Sequence, residues 1–116
     1  MAVESEARQT EASDDQVLKE IVRRLVEAYH PDRIYLFGSR ARGETTADSD
    51  YDLLLVVPDD APADRRRSRL AYQALRGTGV GADVVVWTCE AFEARRPLRA
   101  SLPAAVLAEG KLLYAA

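Results

Sequence analysis

The chain holds two uninterrupted apolar runs, Leu53-Leu54-Leu55-Val56-Val57 and Val84-Val85-Val86-Trp87, and an aspartate stands directly before each, Asp52 and Asp83. Runs without polar alternation suit strands covered on both faces. Between them the residues from Ala63 to Arg76 place Leu70, Ala71, Ala74 and Leu75 on one helical stripe, and Gly77 follows where a helix would be capped. A strand, a helix of crossover length and a second strand form a parallel unit, so both aspartates should open neighbouring strands at one edge of a sheet. A further stretch rich in strand-forming residues, Arg33 to Phe37, precedes them. The segment 38–50 carries no long helix, so this strand can run antiparallel to the next and end at that same edge. The expected fold class is α/β, a single domain with a small mixed β-sheet flanked by helices.

The remaining elements follow from punctuation. Residues 1–12 are small and polar and read as a disordered tail, leaving 13–116 as the domain. Ser13 with Gln16 makes a capping box, and Asp14 and Asp15 add negative charge where a helix dipole favours it. From there Val17, Leu18, Ile21, Val22, Leu25, Val26 and Tyr29 share one helical face, with Lys19, Glu20, Arg23, Arg24 and Glu27 opposite. His30-Pro31 should end that helix, and the lone histidine reads as a capping or surface residue. Arg40-Ala41-Arg42 suggests one helical turn and 43–49 a polar loop. Cys89 to Arg95 is expected to form a short helix, with Cys89 as a packing residue. Ser101 should cap a helix over Leu102 to Glu109, with Pro103 in its first turn and Gly110 at its end, and Lys111 to Tyr114 should add an edge strand.

Chemistry concentrates between Leu36 and Asp52. The first strand breaks at Gly38-Ser39, and ten residues later comes Asp50-Tyr51-Asp52. Side chains two apart on a strand share a face, so Asp50 and Asp52 point the same way. Carboxylates side by side repel unless a cation lies between them, and hard oxygen ligands suit Mg²⁺ or Mn²⁺. The glycine allows close backbone approach to a ligand, and a serine hydroxyl beside exposed amides suits a phosphate. Either feature alone is most often a plain turn or a solvated loop. Together they point to a nucleotide. Arg40 and Arg42 are candidate aids to phosphate binding, and the cluster Arg65, Arg66, Arg67 and Arg69 reads as a solvated face or as a docking patch for an acidic partner or RNA.

The pattern Gly-Ser, ten residues, Asp-x-Asp, with the neighbours Gly38-Ser39-Arg40-Ala41-Arg42-Gly43 and Ser49-Asp50-Tyr51-Asp52-Leu53-Leu54, closely resembles the nucleotidyltransferase superfamily that includes DNA polymerase β. It is most similar to the minimal nucleotidyltransferases, over roughly residues 14–115. That resemblance implies a third metal-binding acid at the position of Asp83, two Mg²⁺ ions held by Asp50, Asp52 and Asp83, and ATP as AMP donor with its phosphates on Gly38 and Ser39. It also implies a helical HEPN-type toxin as partner, with AMP passing to one of its tyrosines and the chain acting as antitoxin. Two alternatives stand beside this, nucleotidyl transfer to an aminoglycoside-like small molecule with the pocket completed by a partner, and an antitoxin that acts by binding alone.

Composition narrows the setting. Net charge is −3, so there is no global attraction to nucleic acid or to anionic lipid. No apolar run approaches a membrane span, no signal-peptide pattern opens the chain, and the single cysteine cannot form an internal disulfide, so the expected compartment is the cytoplasm.

Overall fold

The computed structural model describes residues 2–43 and 50–116. Helix α1 (Ala2–Tyr29) leads into strand β1 (Arg33–Phe37), the short helix α2 (Gly38–Arg42) and strand β2 (Tyr51–Val57). A 3-10 turn (Ala63–Arg66) and helix α3 (Arg69–Ala74) then connect to strand β3 (Ala82–Thr88), and α4 (Cys89–Arg95), α5 (Leu102–Glu109) and β4 (Lys111–Ala115) complete the chain. The strands form one mixed sheet in the order β3-β2-β1-β4, with β2 parallel to β3 and antiparallel to β1. The parallel crossover, the antiparallel first strand and the C-terminal edge strand expected from sequence are all present.

The apolar run of β2 explains the layering, because its alternate residues serve two cores. Leu53, Leu55 and Val57 pack with Ile21, Leu25 and Tyr29 of α1 and Ala71 of α3. Leu54 and Val56 face the other way, onto Tyr35, Phe92 of α4 and Val106 of α5. Helices thus cover both faces of a central strand. The equally apolar β3 instead lies at an edge, and Val84 is its one buried residue. Continuity of apolar residues marks contact with helices on both faces and does not determine how many strands lie alongside.

Helix α1 begins earlier than the capping box at Ser13. Residues 2–12, expected to be a disordered tail, continue its backbone as helix, in keeping with the good helix formers Glu4, Ala7, Arg8, Gln9, Glu11 and Ala12. His30 ends the helix with φ 48, and its N–H donates to Val26 O at 2.9 Å. Arg24, placed by periodicity on the solvent side, reaches across to cap α3 by donating to the carbonyls of Ala74 (3.2 Å) and Arg76 (3.0 Å). The polar loop expected at 43–49 lies, Gly43 apart, outside the described residues.

The helix expected from Ala63 to Arg76 is broken. Arg67 adopts an extended conformation (φ −121, ψ 151), separating the 3-10 turn from α3. The cause is tertiary, since the Tyr29 hydroxyl donates to Arg67 O at 2.5 Å and accepts from Ala71 N at 2.8 Å, holding both sides of the break. Gly77, with φ 87, lies two residues beyond the α3 C-cap Leu75. Tyr29→Phe is expected to cost about 1–2 kcal/mol, because both hydrogen bonds of the phenol are lost while Ala71 N keeps the Ser68 carbonyl (2.9 Å) as its partner. Urea denaturation should show a lower midpoint at unchanged slope, and an unchanged midpoint would mean that the phenol does not hold the break.

Candidate active site

Register brings the sequence-predicted residues together across three strands. Phe37, the last residue of β1, is the partner of Asp52 in β2, and Asp52 is the partner of Asp83 in β3. Gly38-Ser39 therefore leaves β1 beside Asp52, while Asp83 flanks it on the other side, one strand spacing of ~4.8 Å away. By alternation Asp52 lies on the Leu54–Val56 face of the sheet, the side covered by α4 and α5. Asp50 and Asp83 are exposed and Asp52 is half-buried, as expected of groups at the rim of a sheet.

Gly38 is required here twice over. Its φ of 75 lies in the left-handed region, and a Cβ on it would overlap the Asp52 carboxylate, meeting Cγ at 3.0 Å and Oδ2 closer still. The carboxylate rests against bare backbone as the chain turns into α2. Ala41 is buried under that turn, and Gly43 (φ 76) closes it. The two arginines of the turn are both engaged with the acid strand or its neighbours. The Arg40 guanidinium lies 4.0 Å from the centre of the Tyr51 ring, which is buried between Asp50 and Asp52 in sequence. Arg42 pairs with Glu109 at 3.7 Å and acts electrostatically on Asp52.

Burial raises the Asp52 pKa above the ordinary carboxylate value, the charges of Asp83 and Asp50 raise it further, and Arg42 opposes them. Asp52 thus senses the charges of both neighbouring acids. Like charges this close spread apart, and among the described residues no three acidic, histidine or cysteine groups close on one point. The donor set nevertheless fits a hard divalent cation, with carboxylate oxygens only, backbone seats that admit them closely, and a mutual repulsion that a cation would relieve. Because the folded chain holds a proton on Asp52 that the unfolded chain has released, stability should fall as pH rises from about 3.8 through the raised folded value. At neutral pH in EDTA, Asp52→Asn should therefore melt no lower than wild type and up to about 4 °C higher, a gain limited to about 1 kcal/mol by solvent screening. A clear fall in the melting temperature would show that the carboxylate stabilises the fold instead.

Gly81 joins this site although its sequence context suggests only a flexible connection. Its carbonyl accepts from Tyr51 N at 3.0 Å, and a Cβ on it would overlap the Asp50 carboxylate, with Cγ at 3.0 Å and Oδ1 nearer. Its position two residues before Asp83 was the available signal. The arginine cluster, by contrast, lies away from the acids. It follows the Val57 end of β2, about 17 Å along the strand from Asp52, and Arg67 and Arg69 there line a hollow of about 280 Å³ with Asp64, Leu70 and Gln73. Among the described residues no helix is long and apolar enough to cross a membrane.

Comparison with known proteins agrees with this fold. The family model for the nucleotidyltransferase domain matches residues 16–111. A Methanocaldococcus jannaschii protein, named provisionally as a protein adenylyltransferase, is 34% identical over 106 residues, 88% of this chain and 99% of its own length. Among solved structures, a Sulfolobus solfataricus protein described provisionally as a nucleotidyltransferase superposes with a TM-score of 0.56 at 23% identity, covering 86% of this chain and 78% of its own. A chain of a toxin–antitoxin crystallised with AMP-PNP gives a TM-score of 0.56 at 24% identity, over 84% of this chain and 73% of its own. At such identities the structures establish the fold. Together with the family match across the three strands that meet at the acid edge, they lead to one conclusion, that this chain belongs to the nucleotidyltransferase domain family.

Proposed function

We propose that this chain moves AMP from ATP to a hydroxyl, that the acceptor is a tyrosine of a HEPN-type toxin protein, and that the modification neutralises the toxin. The observation that carries the transfer reading is the register Phe37–Asp52–Asp83, which aligns the Gly38-Ser39 turn with two carboxylates on adjoining strands. Kinship to a relative named provisionally as a protein adenylyltransferase favours a protein as acceptor, and the likeness to toxin–antitoxin structures, one with an ATP analogue, favours a toxin.

In this reading the Gly38-Ser39 turn receives the β- and γ-phosphates through backbone amides and the serine hydroxyl. Asp50, Asp52 and Asp83 would hold Mg²⁺, which when bound neutralises the triphosphate and makes the attacking hydroxyl more acidic. Asp83 is exposed on the edge strand, where an acceptor can approach. Arg42 moderates the acid cluster, and Arg40, stacked on Tyr51, ties the phosphate turn to the acid strand. An acceptor docked on the distant Arg65–Arg69 cluster would have to reach around the sheet, so the acid edge is the better place for the partner to meet this chain.

Co-expression with the helical protein encoded beside this chain should give a partner whose intact mass rises by AMP units, traceable to tyrosine by peptide mapping. The Asp50→Asn, Asp52→Asn double variant should leave that mass unchanged and fail to restore growth. Rescue by the double variant equal to wild type would mean neutralisation by binding alone. Modification of an aminoglycoside, with the partner mass unchanged, would give the function to small-molecule transfer.

A further inference from the structure

Gly81 differs from Gly38 in one respect that makes its role separable. Its φ lies outside the left-handed region, so its φ does not by itself demand glycine. It is exposed, so no core packing excludes a methyl group. What excludes it is the Asp50 carboxylate, whose Cγ lies 3.0 Å from where a Cβ would stand and whose Oδ1 lies closer. The Gly81 carbonyl meanwhile accepts from Tyr51 N, keeping this stretch of chain beside the acid pair.

We propose that Gly81 is a positioning residue, the seat on which Asp50 rests, and that any side chain there pushes Asp50 away from the cation-binding edge. The obstacle is the end of a short side chain and not backbone. The conflict is therefore relieved by Asp50 swinging away, which spares the fold and spoils the site. Gly110 is the contrasting case, since a Cβ on it would meet the backbone oxygens of Val106 (2.5 Å) and Leu36 (2.8 Å), and α5 or β1 would have to move. The proposal rests on the nucleotidyl-transfer reading for its consequence in activity, while its geometric part concerns cation binding alone.

The test uses the full chain, with Mn²⁺ as probe, titrated by electron paramagnetic resonance without nucleotide, and with melting temperature and transfer rate measured in parallel. Gly81→Ala should weaken Mn²⁺ binding on the order of tenfold or more, as loss of a group that orients a metal ligand does, and slow transfer while the melting temperature stays near wild type. In an Asp50→Ala background, already weak in Mn²⁺ binding, adding Gly81→Ala should change neither affinity nor melting temperature, because the group it displaces is gone. Wild-type Mn²⁺ affinity in Gly81→Ala would overturn the proposal. So would equal losses with and without Asp50, which would make the role one of backbone structure. A wild-type chain that binds Mn²⁺ but transfers nothing would refute the transfer reading and leave the binding arms to decide on Gly81, whereas a wild-type chain that binds no Mn²⁺ would refute the seat itself.

Discussion

Asp50→Asn, Asp52→Asn and Asp83→Asn are each expected to lower nucleotidyl transfer by roughly 10³-fold or more, about 4 kcal/mol of transition-state stabilisation. Each removes a full negative charge from a sheet edge where the charges of Asp83 and Asp50 add to the burial that raises the Asp52 pKa, and none removes core volume. Circular dichroism and melting curves should therefore stay close to wild type. The three variants should differ in binding. Asp52 stands between the Gly38 turn and Asp83, so its loss should weaken ATP binding most, while Asp83→Asn, on the edge strand, should spare it and act on the chemical step. Single-turnover kinetics alongside nucleotide titration separates the two effects. Wild-type transfer by Asp83→Asn would remove this residue from the site and leave the Asp50–Asp52 pair alone.

The largest loss of stability is expected from Leu55→Ala. Leu55 is fully buried in the central strand, with β1 on one side and β3 on the other, and packs in the same cluster as Ile21, Leu25 and Ala71. A Leu→Ala change at such a site costs about 2–5 kcal/mol in lost transfer energy and cavity, against a total of about 5–15 kcal/mol for an ordinary domain. The melting temperature should fall by roughly 10 °C or more. Because β2 also carries Asp52, activity should be lost at temperatures where the variant begins to unfold and be near normal well below them. A cost under about 1 kcal/mol would mean that the two helices close over the site and that the core is less rigid than its packing suggests.

Much of the candidate active edge was readable from residue order, and the reason is topological. A parallel crossover forces Asp52 and Asp83 to one edge, and a linker without a long helix lets β1 return Gly38-Ser39 there, so three distant positions converge without any knowledge of side-chain packing. The C-terminal third was equally readable, since Ser101 accepts from Ala104 N as a cap, and α4 and α5 run as their local signals suggest. The Asp-x-Asp pattern beside a Gly-Ser turn pointed to a candidate site because few ligands other than a metal-bound phosphate ask for those groups together.

What the amino-acid order could not contain is any feature decided by contacts between elements. The break at Arg67 exists because a tyrosine hydroxyl 38 residues earlier takes the place of helical hydrogen bonds. Helical periodicity, which extends over only a few residues, predicts an unbroken helix there. Gly81 looks like one more glycine in a loop until the sheet sets it under Asp50. The apolar run of β3 matches that of β2, yet only assembly puts one at the edge and the other in the centre. Sequence by itself determined which groups reach the candidate active edge, because chain direction and strand parity act over short spans. The tertiary structure decided how those groups are seated, because seating depends on which backbone atoms come within van der Waals reach once the helices and sheet have packed.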